Sequence, residues 1–378
     1  MQTEICKQAG IDFPIFAFTH CRDVAAEVSK AGGLGCLGSA YMKTDEFKRD
    51  LDWLDAHVGD KPYGVDLIFM PAVRQPGAGK QLTIEEVDAL VWKTIPDAHR
   101  KFVDKLLKEH NVPEWPDPND LPSLGSVAAE LAIPMAEEAL KHPKCKVVVS
   151  AMDTPPAEVI EKCHKAGRLV GALTGAKKHA MRHKAAGLDF IVANGYEGGG
   201  HTGEIGSIVL WPELVDAVAP MPVLAAGGIG NGRQMLAALA TGAQGVWTGS
   251  LWITVAEAQT QPKEKQRLLD ATIEDTVISR SWSGKTARLL RNKWTKAWAG
   301  PESPGTLPNP AQWLLTTDAR RRLERYGELG NAQDIAFSPA GQVIGQINQV
   351  ETSRGVVLRL VQEYLEAFER LQGLMPNE

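Results

Sequence analysis

The sequence predicts an α/β protein, a (β/α)8 barrel with an insertion after its third strand and a helical C-terminal extension. Eight short apolar runs recur along the first 250 residues, at 15–18, 35–38, 63–69, 146–151, 168–174, 189–194, 222–226 and 245–248. Most are continuous, as in VVVSA, LVGAL and FIVAN, and a strand apolar on both faces belongs to a parallel sheet covered by helices. Longer segments of helical period separate them; eight βα units close into a barrel, or form a doubly wound sheet if closure fails. A length of 378 residues, 44% apolar and 23% charged, suits one large α/β domain with additions.

The first strand leads into a helix at 22–31 and the second into one at 44–56, where Thr44, Asp45 and Glu46 make a cap-like start. After the third strand, residues 71–125 interrupt the repeat with a helical piece at 85–110 and the Pro-dense HNVPEWPDPNDLP. In a barrel this insertion lies over the C-terminal mouth, as a lid that shapes a substrate site or as a solvated excursion. The repeat resumes with helices at 156–166, 176–186, 211–219 and 230–241, and Gly167, Gly187 and Gly242 supply helix stops. Residues 1–255 are thus assigned to the barrel with its insertion, and 256–378 to a mostly helical extension packed on it. Within that extension, residues 352–372 place Val356, Val357, Leu360, Val361, Tyr364, Leu365, Phe368 and Leu371 at steps of one, three or four. An exposed stripe of this size invites aggregation, so it is expected to dock on the barrel, with any homodimer contact secondary.

The 41 basic and 46 acidic residues give a net charge of −5 without a long basic run, so no nucleic acid and no membrane is expected as partner. No apolar run approaches the roughly 20 residues of a membrane span, and the opening MQTEICKQAGIDFPIF has no apolar signal segment. Five scattered cysteines without a CxxC pair speak against a disulfide framework or a zinc site. A cytoplasmic location is the corresponding expectation.

Two segments carry chemistry. In VANGYEGGGHTGEIG, residues 192–206, six glycines in fifteen residues follow a strand, and His201 comes directly after Gly198, Gly199 and Gly200. Glycines let backbone approach a flat ligand and leave the imidazole unshielded, so His201 is a candidate general base at a strand's C-terminal mouth. In VLAAGGIGNGRQMLAAL, residues 223–239, the turn Gly227-Gly228 runs into a helix opening near Asn231, whose free N–H groups suit a phosphate. Gly249 and Ser250 end the next strand, and barrels frequently hold phosphate on the loops after strands seven and eight. The segment does not fit the dinucleotide fingerprint, which follows the first strand of a Rossmann half.

With these residues the chain resembles the nitronate monooxygenase family, formerly the 2-nitropropane dioxygenases, FMN flavoproteins built on a TIM barrel. LDFIVANGYEGGGHTG matches the family's histidine segment and implies that His201 is catalytic, with Gly199 and Gly200 at the cofactor. AAGGIGNGR matches the flavin-phosphate segment at Ala226, Gly227, Gly228 and Gly230, and Gly249 with Ser250 corresponds to the family's GT pair. Pro14, Ile15 and Ala17 echo a first-strand segment under the flavin. Where the family often has Asn at the end of the third strand, this chain has Asp66, which would add negative charge beside the ring or be held protonated. The usual EAGGH is here EGGGH.

The resemblance implies a cytoplasmic FMN-dependent oxidoreductase, oxidising alkyl nitronates with O2 through a histidine base. The family also holds NAD(P)H-dependent reductases, so a reductase acting on a quinone or an enoyl or acyl-CoA ester is the alternative. A flavin-free barrel serving as a binding or assembly module is the non-enzyme alternative. His179 and His183 lie four apart on a helix among Lys and Arg, read as a solvated face rather than a metal site. The basic segment 283–298, with Lys285, Arg288, Arg291 and Lys293, either closes over an anionic ligand or forms a basic surface helix. Cys36 is read as a small core residue.

Overall fold

The computed structural model describes residues 1–40, 42–69, 83–117, 120, 123–124 and 129–375. Eleven strands are described: β1 Ile15–Thr19, β2 Leu34–Gly38, β3 Tyr63–Leu67, β4 Cys145–Ser150, β5 Leu169–Thr174, β6 Phe190–Asn194, β7 Gly200–His201, β8 Val223–Ala226, β9 Gly245–Thr248, β10 Thr276–Ser279 and β11 Ala287–Leu290. β1 to β6, β8 and β9 are parallel neighbours, and β1 pairs with β9 through Ile15 on Val246 and Ala17 on Thr248, closing an eight-stranded barrel. These are the eight apolar runs expected from the sequence. Their interior is filled by Phe16, Leu34, Val147, Phe190, Leu224 and Trp247, while Ile5, Cys6 and Ala9 of the short helix α1 (Glu4–Ala9) join the same cluster. That plug was not apparent in the sequence.

The outer layer holds α2 (Arg22–Lys30), α3 (Thr44–His57), α6 (Ala129–Lys141), α7 (Ala157–Lys165), α8 (Lys177–Ala185), α9 (Ser207–Val218) and α10 (Gly232–Ala240). Helix α9 starts at Ser207, four residues before the expected 211, because Glu197 accepts hydrogen bonds from the Ser207 N–H and hydroxyl and so caps it with a carboxylate. The insertion forms two helices rather than one, α4 (Ile84–Thr94) and α5 (Asp97–Glu109), separated where Pro96 forces the residue before it out of helical geometry.

The extension carries α11 (Pro262–Leu269), α12 (Lys293–Ala299), α13 (Ala311–Tyr326) and α14 (Ser353–Gln372). It also contributes β10 and β11, an antiparallel pair that adds β7 as a third strand through Ala287 on His201 and Arg288 on Gly200. The insertion packs on this extension: Val103, Leu106 and Leu107 share a core with Trp294, Trp298, Leu314 and Leu323, and Arg322 donates to the carbonyls of Val112 and Pro113. A solvated excursion would bury no such core.

The stripe on α14 docks only in its first half. Val356, Val357 and Leu360 are buried against the barrel helices, and the backbones of α14 and α10 meet so closely that a Cβ at Gly232 would lie 2.4 Å from the Leu360 carbonyl. Leu365, Phe368 and Leu371 remain 48%, 42% and 42% exposed, which corrects the expectation that the whole stripe is covered. Leu360→Ala should therefore cost about 2–5 kcal/mol in urea unfolding. Phe368→Ser should stay within about 0.5 kcal/mol of the parent.

Candidate active site

All eight C-terminal strand ends open into one cavity of about 790 Å3. Its lining includes Asp66, Gly199, Gly200, His201, Ala226, Gly227, Gly228, Gly249 and Ser250, so the structure brings nine of the ten sequence-derived site residues together. Ala17 is the exception. Its fully buried side chain points outward into the core cluster with Val24 and Val28, and its neighbour Phe18 faces the mouth.

The glycine loop is shaped by contact. Gly227 and Gly228 have φ of 84° and 74°, in the left-handed region that favours glycine, and a Cβ at Gly227 would fall 3.0 Å from the Gly195 carbonyl. Gly199 lies flat on the Ala340–Gly341 backbone, where a Cβ would be 2.6 Å from the Gly341 nitrogen. At Gly200 and Gly249, by contrast, an added Cβ would find a single neighbour near 4 Å, so both present open backbone. Ser250 Oγ accepts the Gly341 N–H at 2.8 Å.

The N-terminus of α10 is not the free donor cluster expected from the sequence. Gln234 Oε1 accepts from the N–H groups of Gly230 and Asn231, Asn231 Oδ1 accepts from Gln234, and the Glu363 carboxylate of α14 takes the Gly232 N–H at 2.7 Å. The N–H groups of Gly228 and Ile229, one turn earlier, donate to no described residue. At this rim the open N–H donors are those of the glycine turn, not those of the helix end.

His201 is held from the extension. Its Nε2 lies 2.6 Å from Ser283 Oγ, and its ring stacks on Trp282 at 4.9 Å and on Trp313 at 5.8 Å. Burial, reinforced by the Lys285 ammonium nearby, lowers its pKa to about 4, so the imidazole is neutral at physiological pH. Asp66 responds in the opposite direction: 3% exposed, its carboxyl is pushed well above the usual carboxylate range by burial. His20 at the end of β1 hydrogen-bonds the Gly38 carbonyl through Nδ1, and burial keeps its pKa low.

Several lining residues escaped sequence reasoning: Phe18, His20, Asn194, Trp282 and Trp313. His20 closes the strand motif FAFTH, which is a visible signal; the tryptophans reach the mouth through long-range packing that no local pattern announces. The basic segment 283–298 is neither of the forms expected of it, because it splits into β11 and α12. Arg288 is buried and donates to the Tyr196 carbonyl and Thr276, Arg291 donates to the Glu274 carbonyl, and Lys293 pairs with Asp334. Of the segment's four cations, Lys285 is the one whose charge acts on His201. The basic helix carrying His179 does leave that residue near the surface, but His183 is buried with Nδ1 2.9 Å from Thr154 Oγ1.

Among the described residues no three His, Cys, Asp or Glu side chains gather as a metal site, all five cysteines are buried free thiols, and no helix is long and apolar enough to cross a membrane. A family model described as nitronate monooxygenase matches residues 3–363. The chain belongs to this family. A Mycobacterium tuberculosis protein whose name carries the word monooxygenase is 44% identical over 99% of this chain and 100% of its own length. A Staphylococcus haemolyticus protein named "Probable nitronate monooxygenase" is 28% identical over 86% of this chain and 87% of its own. Among solved structures, nitroalkane oxidase from Streptomyces ansochromogenes superposes with a TM-score of 0.78 at 25% identity, covering 97% of this chain and 99% of that one. FabK from Thermotoga maritima gives 0.73 at 25% identity, covering 99% and 100%. This nitronate monooxygenase relative is accordingly an oxidoreductase, and the family implies a flavin cofactor.

The environment of His201 has a consequence for stability. The unfolded chain accepts a proton on this residue below its usual 6.5, whereas the folded protein resists it down to about 4. Stability should therefore fall as pH drops through that window, by up to about 1.4 kcal/mol per pH unit from this group. Urea unfolding at pH 7 and pH 4.5 should show a smaller loss for His201→Asn than for the parent.

Proposed function

We propose that the chain is an FMN-dependent oxidase or monooxygenase of alkyl nitronates and their parent nitroalkanes, with His201 as general base. The observation that carries this reading is the His201 ring, neutral at physiological pH, lining the same cavity as the open backbone of Gly200 and Gly249. A flat cofactor fits these residues: Gly200 and Gly249 leave room for a ring, and the Gly228 and Ile229 N–H groups with Ser250 would meet its phosphate. When bound, FMN supplies an acceptor for the substrate's electrons and passes them to oxygen.

The protein's own part is proton handling and exclusion of water. The tautomer that serves as a base carries its hydrogen on Nε2, donated to Ser283 Oγ, and leaves Nδ1, which has no hydrogen bond to a described residue, to accept the α-proton of a nitroalkane. A low pKa keeps that nitrogen unprotonated at neutral pH. The negative charge created on the nitro group beside it then raises the ring's affinity for the proton just taken. Trp282 and Trp313 fix the ring's plane, and Ile84, Val87 and Leu124 of the insertion wall the cavity from above.

A second reading, an NAD(P)H-dependent reductase acting on a quinone or an enoyl or acyl-CoA ester, is favoured by the cavity's extent. Beyond Trp313 it continues to Gln259, Glu264, Arg320 and Glu324, more room than a small nitroalkane needs. Anaerobic mixing separates the two. Bleaching of the flavin by a nitronate and not by NADH is expected, and rapid bleaching by NADH would establish the reductase. His201→Asn should retain flavin while turnover of a neutral nitroalkane drops about 100- to 10,000-fold, measured by oxygen consumption.

A further inference from the structure

A carboxyl in the barrel mouth, 3% exposed and without a partner among the described residues, needs an explanation. Asp66 stands one residue from the end of β3, where strand alternation sends Tyr63, Val65 and Leu67 into the outer core and turns Gly64 and Asp66 inward. Its side chain lines the cavity at 3% exposure. The main-chain carbonyl of Asp66 accepts from the Ser39 N–H, but its carboxyl oxygens make no hydrogen bond or ion pair with any described residue.

Once a ligand fills the cavity in place of water, three arrangements reconcile a carboxyl with this burial: a cation beside it, a metal, or a proton kept on it. Of the titratable groups on the strands flanking β3, the Cys36 thiol on β2 lies toward Asp66, whereas Cys145 and Lys146 sit at the opposite, N-terminal end of β4; His20 stands at the end of β1. Burial keeps the thiol protonated and the imidazole neutral, so neither is a counter-ion. No metal-holding cluster exists among the described residues. The third arrangement remains, and a protonated carboxyl is a hydrogen-bond donor aimed into the cavity.

We propose that Asp66 is present as the neutral acid and donates its hydroxyl hydrogen to an acceptor atom of the flavin ring, which makes flavin binding proton-linked. This rests on the reading of the cavity as a flavin site. Flavin rings carry carbonyl oxygens and unprotonated ring nitrogens along their edge, so an acceptor is available when the ring displaces water from this carboxyl. An asparagine amide at the same place would donate an equivalent bond but could not lose it to base. The sign of the linkage follows. Below the pKa of Asp66 in the flavin-free protein the proton is already in place and affinity is independent of pH; above it, each binding event must take up one proton, and Kd rises tenfold per pH unit.

The test is FMN affinity of the full-length, flavin-stripped protein between pH 6 and pH 9.5, read by quenching of flavin fluorescence, for the parent and for Asp66→Asn. The parent should show Kd rising toward tenfold per unit on the alkaline side, and Asp66→Asn a flatter profile with comparable affinity at pH 6. Superimposable profiles would overturn the proposal while leaving the flavin site intact, and failure of both proteins to bind FMN at any pH would overturn the site reading itself. Infrared spectroscopy gives a second readout that needs no flavin. At neutral pH the parent should show the carbonyl stretch of a protonated carboxylic acid that Asp66→Asn lacks, and its absence from the parent would refute the neutral acid.

Discussion

The mouth of this barrel depends on a strand pairing two residues long. Gly200 and His201 would otherwise belong to a loop whose glycines resist nothing; instead they pair with Arg288 and Ala287 of β11, and the loop becomes the edge of a sheet. From that register the rest follows. The turn preceding β11 delivers Trp282 and Ser283 to the His201 ring, and the buried Arg288 guanidinium reaches back to the Tyr196 carbonyl at 2.9 Å. The loop is then held from two further sides, by Gly199 lying on Ala340 and Gly341 and by Glu197 capping α9. A histidine proposed as a base must keep its position to within fractions of an ångström to act in a transition state, and this pairing supplies the rigidity that the loop's composition withholds.

One physical cause sets the charge of the whole site. The insertion and the extension roof the mouth with apolar surface, and low polarizability penalises any charged form beneath it. For an imidazole that means loss of the proton and for a carboxyl retention of it, so His201 and Asp66 are both neutral for the same reason although they titrate in opposite directions. The result is a proton acceptor and a proton donor facing one cavity, neither of them charged. Lys285 deepens the effect on His201 because its ammonium, itself disfavoured by burial, repels a second positive charge.

Much of this was readable from residues alone, and the misses have specific causes. Parallel barrel strands are buried on both faces, which is why IFAF, VVVS and FIVAN stood out as continuous apolar runs. That same continuity hides parity: in Ile15-Phe16-Ala17-Phe18 nothing local tells which residues face the interior, so the sequence points to Ala17 while it is Phe18 that lines the cavity. Glycine turns and His201 were visible because backbone-exposing composition is a local property. The fate of the α10 N-terminus was not, since its Gly232 N–H is taken by Glu363, more than a hundred residues away. Segment 283–298 misled for a related reason. Its charges suggested a wet surface, yet Arg288 spends its donors on buried carbonyl and hydroxyl groups and becomes part of the interior.

The claim that bears most weight is that a buried, neutral His201 takes the substrate's proton. It is tested most directly by the pH dependence of kcat/KM for a neutral nitroalkane with the flavin-loaded enzyme. The rate should hold steady as pH falls through the ordinary histidine range and decline only in strong acid, with an apparent pKa near the value of about 4 that burial imposes on this ring. An acidic limb centred at 6.5 or above would contradict it.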